Sequence, residues 1–250
     1  MSALISRSEV GSLAHASTVA NGTNAQAVAF LLDVDNTLLD NDRFGADLDA
    51  HLRNAFGESE RDRYRKIYEQ LRDETGYADY LGALQQFRQG AEDNPELLHV
   101  GQFMLEYPFA HRLYPHALET MAHLRTLGSV TIVSDGDIVF QPRKIRRSGL
   151  WQALDGRVLI YLHKQQRLVA IQRHCPANHY VMVDDKPQLL ADMKRQLGEG
   201  LTTVFVRQGH YASDSAQQQV DPAPDRVVAC IGDLRNCTRA DFLPTPGGSA

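Results

Sequence analysis

Six short apolar runs punctuate the chain, at residues 28–32, 130–133, 158–162, 180–183, 202–206 and 226–231. Each is far shorter than a membrane span, and turn-forming or polar residues close it. That is the pattern of strands buried in a parallel sheet. Between the runs the spacing lengthens to the helical period. Residues 116–127 form an amphipathic stretch ended by Gly128, residues 138–148 one ended by Gly149, and Pro187–Leu197 another. Strands alternating with helices predict an α/β fold with a Rossmann-like parallel sheet. The alternation breaks once, over residues 41–110. There Phe44, Leu48, Leu52 and Phe56 recur on one helical face, followed by Tyr64, Ile67, Tyr68 and Leu71, and then by Tyr77, Tyr80, Leu81 and Leu84. Asn94 as cap before Pro95 announces a further helix carrying Leu97, Leu98, Phe103 and Met104. These spacings predict a helical module inserted between the first and second strands.

The chemistry sits where three of the runs end. The first leads into Asp33-Val34-Asp35-Asn36-Thr37, the second into Ser134-Asp135-Gly136-Asp137, and the fourth into Asp184-Asp185. Ligands bind beyond the carboxyl ends of the strands in open α/β sheets. Taken singly, each junction reads equally well as an Asx turn or an N-cap. Their recurrence favours a site, because parallel neighbours would bring Asp33, Asp35, Ser134, Asp184 and Asp185 to one crevice. Carboxylates that close raise each other's pKa or recruit a cation. An all-oxygen set with no nearby His or Cys suits Mg²⁺ best. Ser134 offers a hydroxyl, and the backbone N–H groups of Asp135 and Gly136 are expected to face a phosphate at the start of the following helix.

This arrangement resembles the haloacid dehalogenase superfamily, most of whose members are Mg²⁺-dependent phosphatases. The resemblance covers about residues 28–207 and rests on four features in order: the D-x-D-x-T of Asp33, Asp35 and Thr37; a strand ending in Ser134; a lysine; and a strand ending in Asp184-Asp185. For the lysine, Lys164 stands just before the helix that precedes the acidic pair, although Gln165-Gln166 follows it where the family more often has proline. Lys144 competes for the role. The resemblance implies Asp33 as nucleophile and Asp35 as general acid and base. It also implies a phosphate held by Ser134, Asp135, Gly136 and Lys164. Mg²⁺ would be held by Asp33, the main-chain carbonyl of Asp35, and Asp185 with help from Asp184. The helical module at 41–110 would be a cap over a core made of residues 28–40 and 111–240.

Composition narrows the classes further. In 250 residues, 43% hydrophobic content can bury a proper core. A net charge of −5 gives no electrostatic case for nucleic acid or anionic membrane. Three scattered cysteines make neither a disulfide framework nor a zinc site and fit a reducing cytoplasm. Residues 1–27 lack a charged-then-apolar leader order and read as a flexible arm, and 241–250 as a disordered tail. The run Arg61, Arg63, Arg65, Lys66 reads as a solvated helix face. The expected activity is hydrolysis of a small phosphorylated metabolite. A 2-haloacid dehalogenase-like hydrolase, a two-component receiver domain and a catalytically idle binding protein are the rivals. C–halogen cleavage needs neither the acidic pair nor Asp35, and a receiver has no room for so large an insert.

Overall fold

A computed structural model describes residues 27–213 and 219–244. The strands are β1 (Val28–Leu32), β2 (Ser129–Asp135), β3 (Val158–Tyr161), β4 (His179–Asp184), β5 (Leu201–Val206) and β6 (Arg226–Val228). All pair in parallel, in the order β3-β2-β1-β4-β5-β6. The apolar runs form strands here because both faces of the sheet are covered. Val28, Phe30 and Leu32 pack into one core, and Ala29 and Leu31 into the other, as the period of two requires.

The helices are α1 (Asn41–Phe56), α2 (Glu58–Thr75), α3 (Tyr80–Phe87), α4 (Glu96–Glu106), α5 (Ala117–Leu127), α6 (Phe140–Arg147), α7 (Leu150–Ala153), α8 (Leu168–His174) and α9 (Pro187–Leu197). One sheet face is covered by α5, α6 and α7, through Met121, Leu124, Ile145 and Leu150. The other is covered by α8 and α9, through Ile171, Leu190 and Met193. The crossovers change direction between β1 and β4, which makes that gap the switch point where ligands bind in open α/β sheets. The three motif strands β2, β1 and β4 are neighbours, as the sequence pattern predicts.

Helices α1 to α4 form the expected insert. Asn94 caps α4 by accepting the Glu96 N–H at 3.0 Å. The insert does not keep a separate core. The Phe44 ring lies 5.0 Å from Tyr80 and 4.9 Å from Tyr107, and 5.1 Å from Phe109 and 5.6 Å from Phe140, so one aromatic cluster joins insert and sheet face. The insert also touches the sheet edge at Gly76, in the left-handed turn after α2 (φ +77°). A Cβ there would lie 2.6 Å from Cε1 at the tip of the His163 side chain, and it is the left-handed φ that suits the turn to glycine.

The expected tail at 241–250 begins too early. Arg239–Phe242 forms a 3-10 turn, and Phe242 is fully buried with its ring 5.1 Å from Phe30. Burying such a ring is worth ~1.5–3 kcal/mol, which holds the chain down to this point. Residues 1–26 and 245–250, the rest of the expected arm and tail, lie outside the described residues. Among the described residues no helix is long and apolar enough to cross a membrane.

Candidate active site

The loop after β1 is a closed turn that aims both motif carboxylates at the sheet edge. Asp33 N–H donates to the Val183 carbonyl at 3.0 Å, which extends the β1–β4 ladder by one residue and sets Asp33 beside Asp184. Val34 points back into the core. The N–H groups of Leu38 and Leu39 fold back onto its carbonyl at 2.9 and 3.0 Å. Asn36 takes the left-handed conformation (φ +58°), and its Oδ1 accepts the N–H groups of Asn41 and Asp42 at the head of α1. Asp33 and Asp35, one residue apart on either side of Val34, thus share one face.

Of the two lysines left open by the sequence, Lys164 reaches Asp33. Asp135 Oδ1 accepts the Lys164 N–H at 2.7 Å and pins the loop after β3. The side chain then runs inward, 1% exposed, donates to Asp33 Oδ1 and comes within 2.7 Å of Asp184 Oδ2. Burial opposes its charge, but Asp184, Asp33 and Asp135 outweigh that and hold the ammonium above its ordinary pKa. Lys186 is raised likewise: burial works against its charge, and Asp33, Asp184 and Asp185 overcome it. Lys144 occupies a different place. It comes from α6, is equally buried, and donates to Asp35 Oδ1 at 2.8 Å and Oδ2 at 2.9 Å.

Asp33, Asp184 and Asp185 each offer an oxygen within 4.8 Å of the others. Burial, with Asp33 adding to it, pushes the Asp184 carboxyl up to about 6 against the pull of Lys164. Asp185 is raised further, by burial first and then by the charges of Asp184 and Asp33. Both Asp185 carboxylate oxygens are buried with no hydrogen-bond partner among the described residues. An orphaned buried acceptor pair is costly. It fits a hard cation, which takes oxygen ligands only. The Asp35 carboxylate is not in this group; a metal role for that residue rests on its main-chain carbonyl.

The junction after β2 differs from expectation. Ser134, 1% exposed, accepts from Gln141 Nε2 at 2.9 Å. The Gly136 N–H, expected to face a phosphate, is paired with the Tyr161 carbonyl at 2.9 Å, because β2 runs on into the ladder with β3. The helix starts only at Phe140, capped by Asp137, whose Oδ1 accepts the N–H groups of Val139 and Phe140. Asp135 contributes its carboxylate to the Lys164 loop. Sequence reasoning missed Gln141, Asn41 and Lys186. Only Lys186 carried a signal, a lysine directly after the acidic pair.

A cleft of about 390 Å³ opens between α1, α2 and the turn at His210, walled by Tyr64, Tyr68, Tyr80 and Arg72; Asn41 lines it, but none of Asp33, Asp35, Asp184 and Asp185 does. His210 Nδ1 lies 2.8 Å from Asp42 Oδ1. The basic run of α2 is largely neutralised locally, Arg61 by Glu58, Arg63 by Glu60 and Arg65 by Glu69.

The family model of haloacid dehalogenase-like hydrolases matches residues 28–206. A haloacid dehalogenase-like hydrolase from Burkholderia xenovorans is 52% identical, with a TM-score of 0.81 over 85% of this chain and 99% of its own. An HAD phosphatase from Thermococcus onnurineus (19% identity, TM-score 0.56, 84% and 96% covered) shares the fold. So does a 2-haloacid dehalogenase from Pseudomonas syringae (18%, 0.52, 83% and 96%). No curated protein matches the sequence.

Proposed function

The chain belongs to the haloacid dehalogenase-like hydrolases, and from that premise we propose that it is a Mg²⁺-dependent phosphatase. Its substrate is a small phosphate monoester, cleaved through an aspartyl-phosphate on Asp33. The observation that carries this reading is the bare, buried carboxylate of Asp185 beside Asp33 and Asp184. Fold relatives include both a phosphatase and a dehalogenase, so the fold does not choose between them. The orphaned acid supports the phosphatase, because a metal ligand has a use in phosphoryl transfer and C–halogen cleavage needs no metal.

Asp33, Asp184 and Asp185 would hold the cation, with the main-chain carbonyl of Asp35. When bound, Mg²⁺ offsets the repulsion between an anionic nucleophile and an anionic phosphate. A free oxygen of the Asp33 carboxylate attacks phosphorus and the ester P–O bond breaks, its electron pair leaving on the alkoxide. Asp35 delivers the proton to that alkoxide, then takes one from the water that attacks the phosphoaspartate; the bond to Asp33 breaks and phosphate departs. Lys164 balances the charge of Asp33 and Asp184, and Ser134 offers its hydroxyl to the phosphate. The helical insert serves as a cap.

The test measures p-nitrophenyl phosphate turnover in excess chelator and after Mg²⁺ is restored, with halide release from 2-chloropropionate in parallel. Metal-dependent phosphate release is expected. Undiminished activity in chelator, or halide release without phosphate hydrolysis, refutes the reading.

A further inference from the structure

We propose that Lys144 is a positioning residue that holds the carboxylate of Asp35 and ties its placement to the helical insert, an inference that rests on the phosphatase reading. An ammonium buried to 1% exposure is costly unless every proton is used. Lys144 uses all three: two go to Asp35, at 2.8 and 2.9 Å, and one to Asn41 Oδ1 at 2.9 Å. The rings of Phe140, Tyr80 and Phe109 lie 5.5, 5.8 and 5.9 Å from Nζ, an aromatic wall that favours a cation and keeps water away. With this wall on one side and no other carboxylate paired to it among the described residues, the ammonium stays where it is. Asp35, 23% of whose side chain is open to solvent, must come to it.

The same helix adds a second grip. Gln141, one turn before Lys144 on α6, donates to Asp35 Oδ2 at 3.2 Å and to Ser134 Oγ at 2.9 Å. Both Asp35 oxygens therefore have protein donors, and a leaving-group oxygen must share or displace one of them. The chain of contacts continues into the insert. Asn41 Nδ2 donates to the Tyr80 hydroxyl at 3.0 Å, and Tyr80 stacks on Tyr68 at 4.8 Å in the wall of the cleft. Asn41 opens α1 and Tyr80 opens α3, so two insert helices meet the ammonium that one core helix brings to Asp35. Buried ion pairs can be merely structural. A structural pair would slow every substrate alike, whereas loss of a positioned Asp35 harms those whose leaving group needs a proton.

The experiment compares the intact chain with Lys144→Met, Asp35→Asn, their double variant and Tyr80→Phe, on aryl phosphates running from dinitrophenyl to phenyl. Crystal structures of wild type and Lys144→Met accompany the rates. In kcat/KM, which reports phosphoryl transfer to Asp33 and leaves out the shared hydrolysis of the phosphoaspartate, Lys144→Met should lose about 10²-fold on phenyl phosphate, the usual worth of a placed acid, and only a few-fold on the dinitrophenyl ester. Added to Asp35→Asn it should cost nothing more, since the two act as a unit. In the crystal, Asp35 should leave its wild-type position. Tyr80→Phe keeps the ring and the fold and should skew the series the same way by a smaller factor. Equal losses across the series, a further loss on top of Asp35→Asn, or an unmoved Asp35 overturns the proposal, and an unskewed Tyr80→Phe overturns the link to the insert. The two readings fail separately: wild-type protein that hydrolyses none of the esters refutes the phosphatase, while the crystallographic comparison still decides the position of Asp35.

Discussion

Replacing Lys164 with methionine should separate the electrostatic work of that lysine from its packing. Methionine keeps most of the volume but removes the charge between Asp33 and Asp184. Lys164 is 1% exposed, and the Asp33 and Asp184 side chains are 7% and 0% exposed, so solvent cannot take over from the ammonium. Breaking a buried pair by deleting one partner costs about 3–5 kcal/mol. For a chain of this size each kcal/mol moves the melting temperature by about 2–4 °C, giving a loss of about 6–20 °C in chelator. A divalent cation at the same carboxylates should restore part of it, about 2.7 kcal/mol at a hundred times its dissociation constant. The added variant Asp184→Asn should also recover stability, because it removes one of the two stranded charges. Thermal unfolding of the single and double variants, in chelator and over a Mg²⁺ titration, reads all three effects. A Lys164→Met protein as stable as wild type in chelator, or one that Mg²⁺ fails to stabilise, would refute the assignment of charge at this site.

Asp35→Asn should still be phosphorylated by p-nitrophenyl phosphate, whose leaving group needs little help, yet turn over ~10²–10⁴-fold more slowly. A burst of nitrophenol with phosphate trapped on Asp33 checks this, and a slow first turnover without a burst contradicts it. The Asp184 carboxyl, raised from 3.8 to about 6, binds its proton more tightly in the folded chain than in the unfolded one. Its stabilisation is therefore complete below the ordinary carboxylate value and lost as pH rises towards about 6. The gap in melting temperature between Mg²⁺-saturated and chelated protein should widen across that window, and a flat gap would count against the buried acid cluster. Gly76→Ala places a side chain at φ +77° against His163. The backbone alone should cost ~1–2 kcal/mol, read as a lower melting temperature, and an unshifted transition would show that the turn after α2 relaxes freely.

Much of this architecture was legible because it depends on local periods. The run at residues 28–32 reads as a doubly covered strand, and the spacing of Phe44, Leu48, Leu52 and Phe56 suits burial of one helical face; the structure has both. Asp33, Ser134 and Asp184 could be gathered on paper because parallel strands end at the same edge of a sheet. What the tertiary structure alone decided is how the charged groups pair. Lys144 and Lys164 looked like rivals for one task, yet each has its own carboxylate, because α6 brings the first to Asp35 while the loop after β3 brings the second to Asp33. Gly136 seemed free to meet an anion until β3 ran on far enough to claim its N–H. Phe242 looked like part of a disordered tail until Phe30 offered it a place in the core. Periodicity records which face of an element is buried. Ion pairs, ladder ends and ring contacts depend on the distance between elements, and that is set only when the whole sheet and its helices pack together.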